Sequence, residues 1–284
     1  MKGWFTPEVG FLRVTGRDSR DYLHRLLSCN IKDLAVHQTI PGGLLNALGR
    51  LIAPLWCWGL PDEEFLLQTP AACLDELGMR LERYVFSEDV VVSPTAGRLW
   101  QLVGVTEPIP TPVPGLWAQQ TDLVYWHLNE TDLSDSWQEA GLVALTPQQA
   151  ETHRILQGVP AWGQELDAQV VPLGLNWDQA FDHDKGCYTG QEVISRLTFV
   201  GHPPHQLLGV KLKELLSELP TPLQKDGESI GSLTSCGESV TKGVVGLARI
   251  RWQQAGAGEI VQVKVGENFS NATLVALPFT DVVD

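Results

Sequence analysis

The sequence has no stretch approaching the roughly 18 consecutive apolar residues of a membrane-spanning helix, so no membrane partner is expected. It has no Cys-x-x-Cys pair. The five cysteines, Cys29, Cys57, Cys73, Cys187 and Cys236, are odd in number and far apart, which excludes a disulfide framework and a locally written zinc or cluster ligand set. No tightly bound metal is expected, and the cysteines other than Cys187 read as small buried hydrophobes. The first residues, Met1 to Pro7, lack both the apolar stretch of a secretory leader and the arginine- and serine-rich bias of a transit peptide. A cytoplasmic protein is the expectation. Basic charge is also scarce: 20 Lys and Arg against 34 Asp and Glu give a net charge of −14. That field repels duplex DNA as a partner, while leaving room for a local pocket that takes a small anion. No repeat at solenoid period is present.

What is present is a globular composition. With 284 residues and 43% hydrophobic content, the chain can offset its conformational entropy in two or three compact units. Phe11–Val14 reads as a strand, followed by Gly16 and a helix from an Asp18 cap, with Tyr22, Leu23, Leu26 and Leu27 at helical spacing. Gly42-Gly43 and Gly49-Arg50 frame a hairpin. Phe65–Leu67 predicts a strand, and Leu74, Leu77, Leu81 and Tyr84 one face of a helix. Prolines alternate from Pro108 to Pro114, an extended segment where a junction is expected near 106–116. Thr146-Pro147-Gln148-Gln149 writes a capping box for a helix running to Gln157. Beyond Gly201, short β-like runs at 207–212, 244–250, 260–265 and 273–277 predict a small antiparallel barrel, with 217–227 as a long loop. His202-Pro203-Pro204-His205 is held extended by its prolines and reads as surface structure rather than a zinc pair. Trp56 and Trp58 alternate and should share a sheet face. The ten tryptophans read mainly as core, some with the option of stacking on a flat ligand.

Reactive side chains are densest from Asp182 to Glu192: Asp182-His183-Asp184-Lys185-Gly186-Cys187-Tyr188-Thr189-Gly190-Gln191-Glu192, with Arg196 beyond. Glycines on both sides of Cys187 free the backbone for positive φ and close approach. Lys185 and Arg196, if near in space, would favour a thiolate, and His183 would accept a proton. On its residues alone the segment admits two readings, a reactive thiol or a turn whose cysteine merely packs.

Lys185 to Arg196 resembles the signature K-G-C-[FY]-x-G-Q-E-x-x-x-R of the YgfZ-type family, folate-binding paralogues of glycine-cleavage T-protein (an aminomethyltransferase) that act in iron–sulfur cluster maturation. Val14–Asp18 with Tyr22-Leu23, Leu45–Arg50, Arg83–Val85 with Val90, and Gly231–Ser235 with Gly246–Ala248 are similar to further family landmarks, in order. The resemblance implies an α+β fold of T-protein type. It comprises two interleaved α/β lobes in a folate-binding region over 1–200 and a C-terminal β-barrel over 201–284, arranged as a three-lobed ring around a folate channel. It implies tetrahydrofolate, or a one-carbon derivative, as cofactor, and iron–sulfur enzymes or cluster-assembly proteins as partners. Cys187 and Lys185 become the expected catalytic residues, and Gly186, Tyr188, Gly190, Gln191, Glu192 and Arg196 complete the signature loop. Folate contacts are expected from Asn30, Asn46, Tyr188, Glu192 and Arg196. Cys187 on this reading acts on a cluster, a persulfide or a partner's thiol.

The departures qualify this. Ala53-Pro54 stands where T-protein carries acidic residues for proton transfer, Asn30 where many relatives carry Asp, and Leu156 where T-protein has a folate-contacting Glu. Aminomethyl transfer is therefore disfavoured. A pterin needs buried acceptors, and Asn30, Gln157 or Glu165 are the candidates to supply them. A one-carbon transferase and a non-catalytic docking protein remain the alternatives to the accessory-factor reading.

Overall fold

In a computed structural model, residues 2–109, 115–121 and 124–279 are described. Most of the Pro108–Pro114 alternation, and with it the centre of the junction expected near 106–116, lies outside the described residues. The chain divides into two units, Met1–Leu145 with Gln179–Val193, and Thr146–Asp178 with Ile194–Asp284.

The first unit opens with β1 (Gly3–Phe5), β2 (Val9–Thr15), α1 (Ser19–Leu26), β3 (Thr39–Leu45) and β4 (Leu51–Gly59). It continues with β5 (Phe65–Pro70), α2 (Leu74–Arg83), β6 (Val91–Thr95), β7 (Arg98–Val103) and β8 (Leu116–Thr121), then β9 (Val124–Asn129), α3 (Ser134–Glu139) and β10 (Val143–Ala144). Two five-stranded sheets result, ordered β3-β4-β5-β2-β6 and β10-β1-β7-β9-β8. Phe11, Trp58 and Leu66 of the first sheet pack with Leu99, Ala118, Trp126 and Leu128 of the second. Trp56 and Trp58, two residues apart on β4 and so on one face, both meet Trp126, at ring separations of 4.5 and 6.4 Å.

The hairpin expected around Gly49 is β3–β4. Its turn is tied by Asn46, whose Oδ1 accepts the backbone N–H groups of Leu48 and Arg50 at 2.9 and 3.1 Å. The cap expected at Asp18 does not form. Its carboxylate instead takes the N–H of Asp89 at 2.8 Å, and the Ser19 hydroxyl donates to the carbonyls of Gly16 and Glu63.

The second unit contains α4 (Pro147–Gln157), most of α5 (Gln191–Phe199), and the strands β11 (His205–Leu212), β12 (Thr221–Lys225), β13 (Glu228–Ser239), β14 (Gly243–Arg251), β15 (Ile260–Val265) and β16 (Asn268–Val275). The strands close into a barrel, β11-β14-β13-β12-β15-β16, around Val210, Leu223, Leu233, Ile250 and Val263. The expected α+β class and C-terminal barrel are therefore both present. The box at Thr146 forms as written: its hydroxyl accepts the Gln149 N–H at 3.2 Å, and the Gln149 side chain accepts the Thr146 N–H at 2.9 Å. The loop expected over 217–227 is in part a strand. Thr221 and Leu223 point inward past an exposed Pro222, and a proline in the run masks that alternation.

Glu165 is fully buried, and both its oxygens are occupied. One takes Arg154 at 2.8 Å and the Ala161 N–H at 3.0 Å, the other the hydroxyls of Thr234 and Ser235. It ties α4 to β13 and is saturated without a ligand, which corrects its expected use as a pterin acceptor. His202 stacks on Trp252 with rings 5.8 Å apart and 9° from parallel, and its Nδ1–H donates to the Pro203 carbonyl. Among the described residues no helix is long and apolar enough to cross a membrane.

Candidate functional site

The end of α1 creates a local need. A helix leaves its last carbonyls without intrahelical partners, and here the chain turns into an extended Leu27. Lys185, about 160 residues away in sequence, meets that need. Its ammonium donates to the carbonyls of His24 at 2.6 Å, Leu27 at 2.5 Å and Cys29 at 2.7 Å, a cation where the helix dipole favours one. The side chain is 7% exposed. Burial pushes its pKa down to about 8, against the opposing pull of Asp182, so it remains an ammonium at neutral pH. An ammonium has three donors, and all are committed here. Lys185 has none left to offer the thiolate it was expected to assist.

The rest of the loop is built on alternate anchors. Ser28 accepts the Asp182 N–H through its carbonyl and donates its hydroxyl to the Ala180 carbonyl. Asp182 Oδ1 accepts the N–H groups of Asp184 and Lys185 at 2.8 and 2.9 Å. Tyr188 is 7% exposed, its ring 5.1 Å from the Lys185 ammonium. Its hydroxyl is buried without a hydrogen-bond partner, and burial raises its pKa to about 12.

Gly190 has φ +84°, and a Cβ there would lie 2.6 Å from the Asn46 carbonyl. The loop end and the β3–β4 turn thus pack backbone to backbone. Gly186 is different. It is not among the positive-φ residues, and a Cβ there would meet nothing within 4 Å, so the conformational freedom expected on both sides of the cysteine is needed only at Gly190.

Cys187 is exposed, whereas Cys29, Cys57 and Cys73 are buried and Cys236 is intermediate. Arg196 is exposed in the last turn of α5, in the second unit.

Beside the loop lies a cleft of about 540 Å³, within the size range of small-molecule sites. One wall is Gln179 and Phe181–Asp184, the other Cys29, Asn30, Asp33 and Leu34, with Gln38, Ile40 and Pro41 of the β3 edge completing it. Three carboxylates and three carboxamides make it rich in acceptors; among its lining side chains only His183 can carry positive charge.

Of the expected folate contacts the cleft takes in Asn30, while Asn46, Tyr188 and Glu192 lie outside its lining. The Asn30 carboxamide is engaged locally, donating to Asp33 at 2.7 Å and accepting the Lys32 N–H at 3.1 Å. No tryptophan lines it; the aromatic wall is Phe181. Asp33, Gln38 and Gln179 were not anticipated, because nothing in their local sequence signals that they converge. Burial drives the Cys29 thiol up to about 12, which keeps it protonated. Where acidic groups would serve aminomethyl transfer, Ala53 is fully buried and the Pro54 carbonyl accepts the Thr69 hydroxyl at 2.8 Å. Among the described residues no group of three or more His, Cys, Asp or Glu side chains is placed to hold a metal ion.

No protein-family model matches the chain. It is 26% identical over 294 aligned positions to a putative chloroplastic transferase of Arabidopsis thaliana, covering 92% of this chain and 67% of that one. Identity with the tRNA-modifying protein YgfZ of Aliivibrio fischeri is 25% over 252 positions, covering 82% of this chain and 75% of that one. With the mitochondrial iron–sulfur cluster assembly factor IBA57 of Mus musculus it is 27% over 234 positions, covering 73% of this chain and 63% of that one. Among solved structures, the glycine cleavage system aminomethyltransferase T of Bartonella henselae matches with a TM-score of 0.81 at 17% identity, over 98% of this chain and 86% of that one. The fold is therefore that of T-protein.

Proposed function

The chain belongs to the YgfZ and IBA57 family, paralogous to T-protein, and from that premise we propose that it is a reduced-folate-binding accessory factor in the assembly or maintenance of iron–sulfur clusters. Cys187 acts as a sulfur ligand presented to a partner's cluster, and the partners are iron–sulfur enzymes or cluster-assembly proteins. The observation that carries this reading is the exposed thiol held between two buried anchors, Lys185 and Tyr188, on the loop that also walls the cleft. With both its ends anchored, the short exposed bow of Gly186 and Cys187 can reach another protein at a smaller ordering cost than a free loop would.

The cleft fits the head of a folate. A pterin presents N–H donors along one edge, and the carboxylates of Asp33, Asp182 and Asp184 with the carboxamides of Gln38 and Gln179 would accept them, beside the Phe181 ring. The tail carries carboxylates of its own, which the acidic lining directs outward. Bound tetrahydrofolate supplies a carrier of one-carbon units. Aminomethyl transfer is the weaker reading, because the buried Ala53-Pro54 pair offers no proton acceptor. The name of the bacterial relative raises a role in tRNA modification. With a net charge of −14 a direct grip on a polyphosphate is unfavourable, so we assign the action to protein partners.

Two measurements test the reading. In cells lacking the native protein, the chain should restore the activity of iron–sulfur enzymes and Cys187→Ala should abolish the rescue; rescue by the variant removes the thiol from the function. Calorimetry with tetrahydrofolate and its formyl derivative should give saturable heat, and silence with both leaves only a docking protein.

A further inference from the structure

The same ammonium that closes the end of α1 also joins the two walls of the cleft. Lys185 follows directly on Asp182–Asp184, one wall, and its three hydrogen bonds run to the carbonyls of His24, Leu27 and Cys29, the last of which lies in the other wall. Asp182, itself a cleft residue, holds the backbone of Asp184 and Lys185 through Oδ1. Two residues further on stands the exposed Cys187, reached through Gly186, around which a side chain would meet nothing within 4 Å. Behind the bow, Tyr188 is nine-tenths buried, its hydroxyl without a partner and its ring 5.1 Å from the ammonium. Whatever presses on Asp182 or on the Cys29–Asn30 wall therefore acts on the points from which the cysteine hangs.

The geometry points to Lys185 as a positioning residue, a clasp that couples occupancy of the cleft to the reach of Cys187. The inference rests on the reading of the cleft as a pterin site and adds to it how that site controls the thiol. A ligand accepted by Asp182 and Asp184 pulls the two walls onto the clasp and stiffens the Gly186–Cys187 bow, so the thiol is offered less freely while the cleft is filled. Lys185 here assists no proton transfer; its role is to hold.

The test is the rate of alkylation of Cys187 by iodoacetamide, with Cys236→Ser as background to silence the other partly accessible thiol, with and without saturating tetrahydrofolate. Saturation is set independently by calorimetry at the same pH. Alkylation should slow at least about 5-fold on binding, the lower end of ordinary coupling between sites. Lys185→Met, which keeps the length of the side chain and removes the cation, is compared at tetrahydrofolate concentrations that saturate the variant by its own calorimetry; any weakening of binding is thereby offset, and the protection should be lost, the rate changing less than about 2-fold. Where that variant does not fold, Lys185→Arg serves. It keeps the charge, but a planar fork does not reproduce the three-point grip of an ammonium, and the protection should again vanish. Heat of binding without any change in alkylation overturns the inference and leaves the pterin reading standing. Full protection in a folded Lys185 variant also overturns it, since the ligand is then shielding the thiol directly. No heat at all sinks both.

Discussion

His127 offers a quantitative test of the first unit. It lies on β9 with no exposed surface, its ring 4.5 Å from that of Trp117 and 5.5 Å from that of Trp137. Both ring nitrogens lack a partner. Gly115 closes over it, where a Cβ would fall 2.2 Å from Nε2. Burial lowers its pKa from 6.5 to about 4. Between those values the unfolded chain binds the proton and the folded one does not, so stability rises with pH through this window. The contribution is fully present above pH 6.5 and is lost as pH falls through 4. At roughly 1.4 kcal/mol for each pH unit, the span is worth at most about 3–4 kcal/mol, of which about 3 falls between pH 7 and 4. Urea unfolding at pH 7, 6, 5 and 4 measures it. Carboxylates also titrate at the acid end, so the decisive quantity is the difference from His127→Leu. That variant should lose about 3 kcal/mol less between pH 7 and 4, and at pH 7 should be at least as stable as the parent, because it removes two unpaired buried polar atoms. Equal pH slopes in parent and variant would refute the burial of a neutral imidazole.

The two loop glycines should behave oppositely. Gly190→Ala combines φ +84° with a clash against the Asn46 carbonyl and should cost about 2–4 kcal/mol in urea unfolding, whereas Gly186→Ala should stay within about 0.5 kcal/mol. Glu165→Ala leaves the Arg154 guanidinium without its fully buried partner and should destabilise the second unit by about 3–5 kcal/mol, read as a lowered urea midpoint. Thr146→Ala removes the hydroxyl half of the capping box and should cost about 1 kcal/mol, seen in the same measurement.

How far the sequence could be read depended on whether the information was local. The α4 box needs only Thr146, Pro147 and Gln149, three positions that see one another in any helix start, and it formed as written. Asp18 carried the same kind of signal, yet its carboxylate took the N–H of Asp89, a group 71 residues away that no local pattern contains. β12 escaped because Pro222 masks a two-residue alternation. β13, Glu228–Ser239, escaped because its glycines and serines carry too few apolar side chains to show one. The sheet that holds His127 went unread for a related reason. Its tryptophans are legible as core but not as partners, since pairing is set by which strands lie side by side. The cleft was half legible: Asp182–Asp184 stood within the reactive cluster, while Asp33 and Gln38, which face them, sit in a stretch with no motif.

The contiguity of the signature follows from this geometry. Walking along the loop, buried Phe181, exposed or half-exposed Asp182 to Asp184, buried Lys185, exposed Gly186 and Cys187, buried Tyr188 and the wedged Gly190 alternate between holding and displaying. Each displayed group has a buried neighbour within two residues, so its position is fixed mostly from within the loop, with Ser28 and the carbonyls that receive Lys185 as the distant anchors. A site assembled from scattered residues leaves little trace in one sequence. A site whose anchors and working groups interleave in a dozen residues leaves a motif, and the anchors are as much a part of that motif as the thiol. Lys185 belongs with the anchors: its chemistry is that of a helix cap, and substitutions there should be judged first by what they do to the cleft and to the path from Asp182 to Cys187.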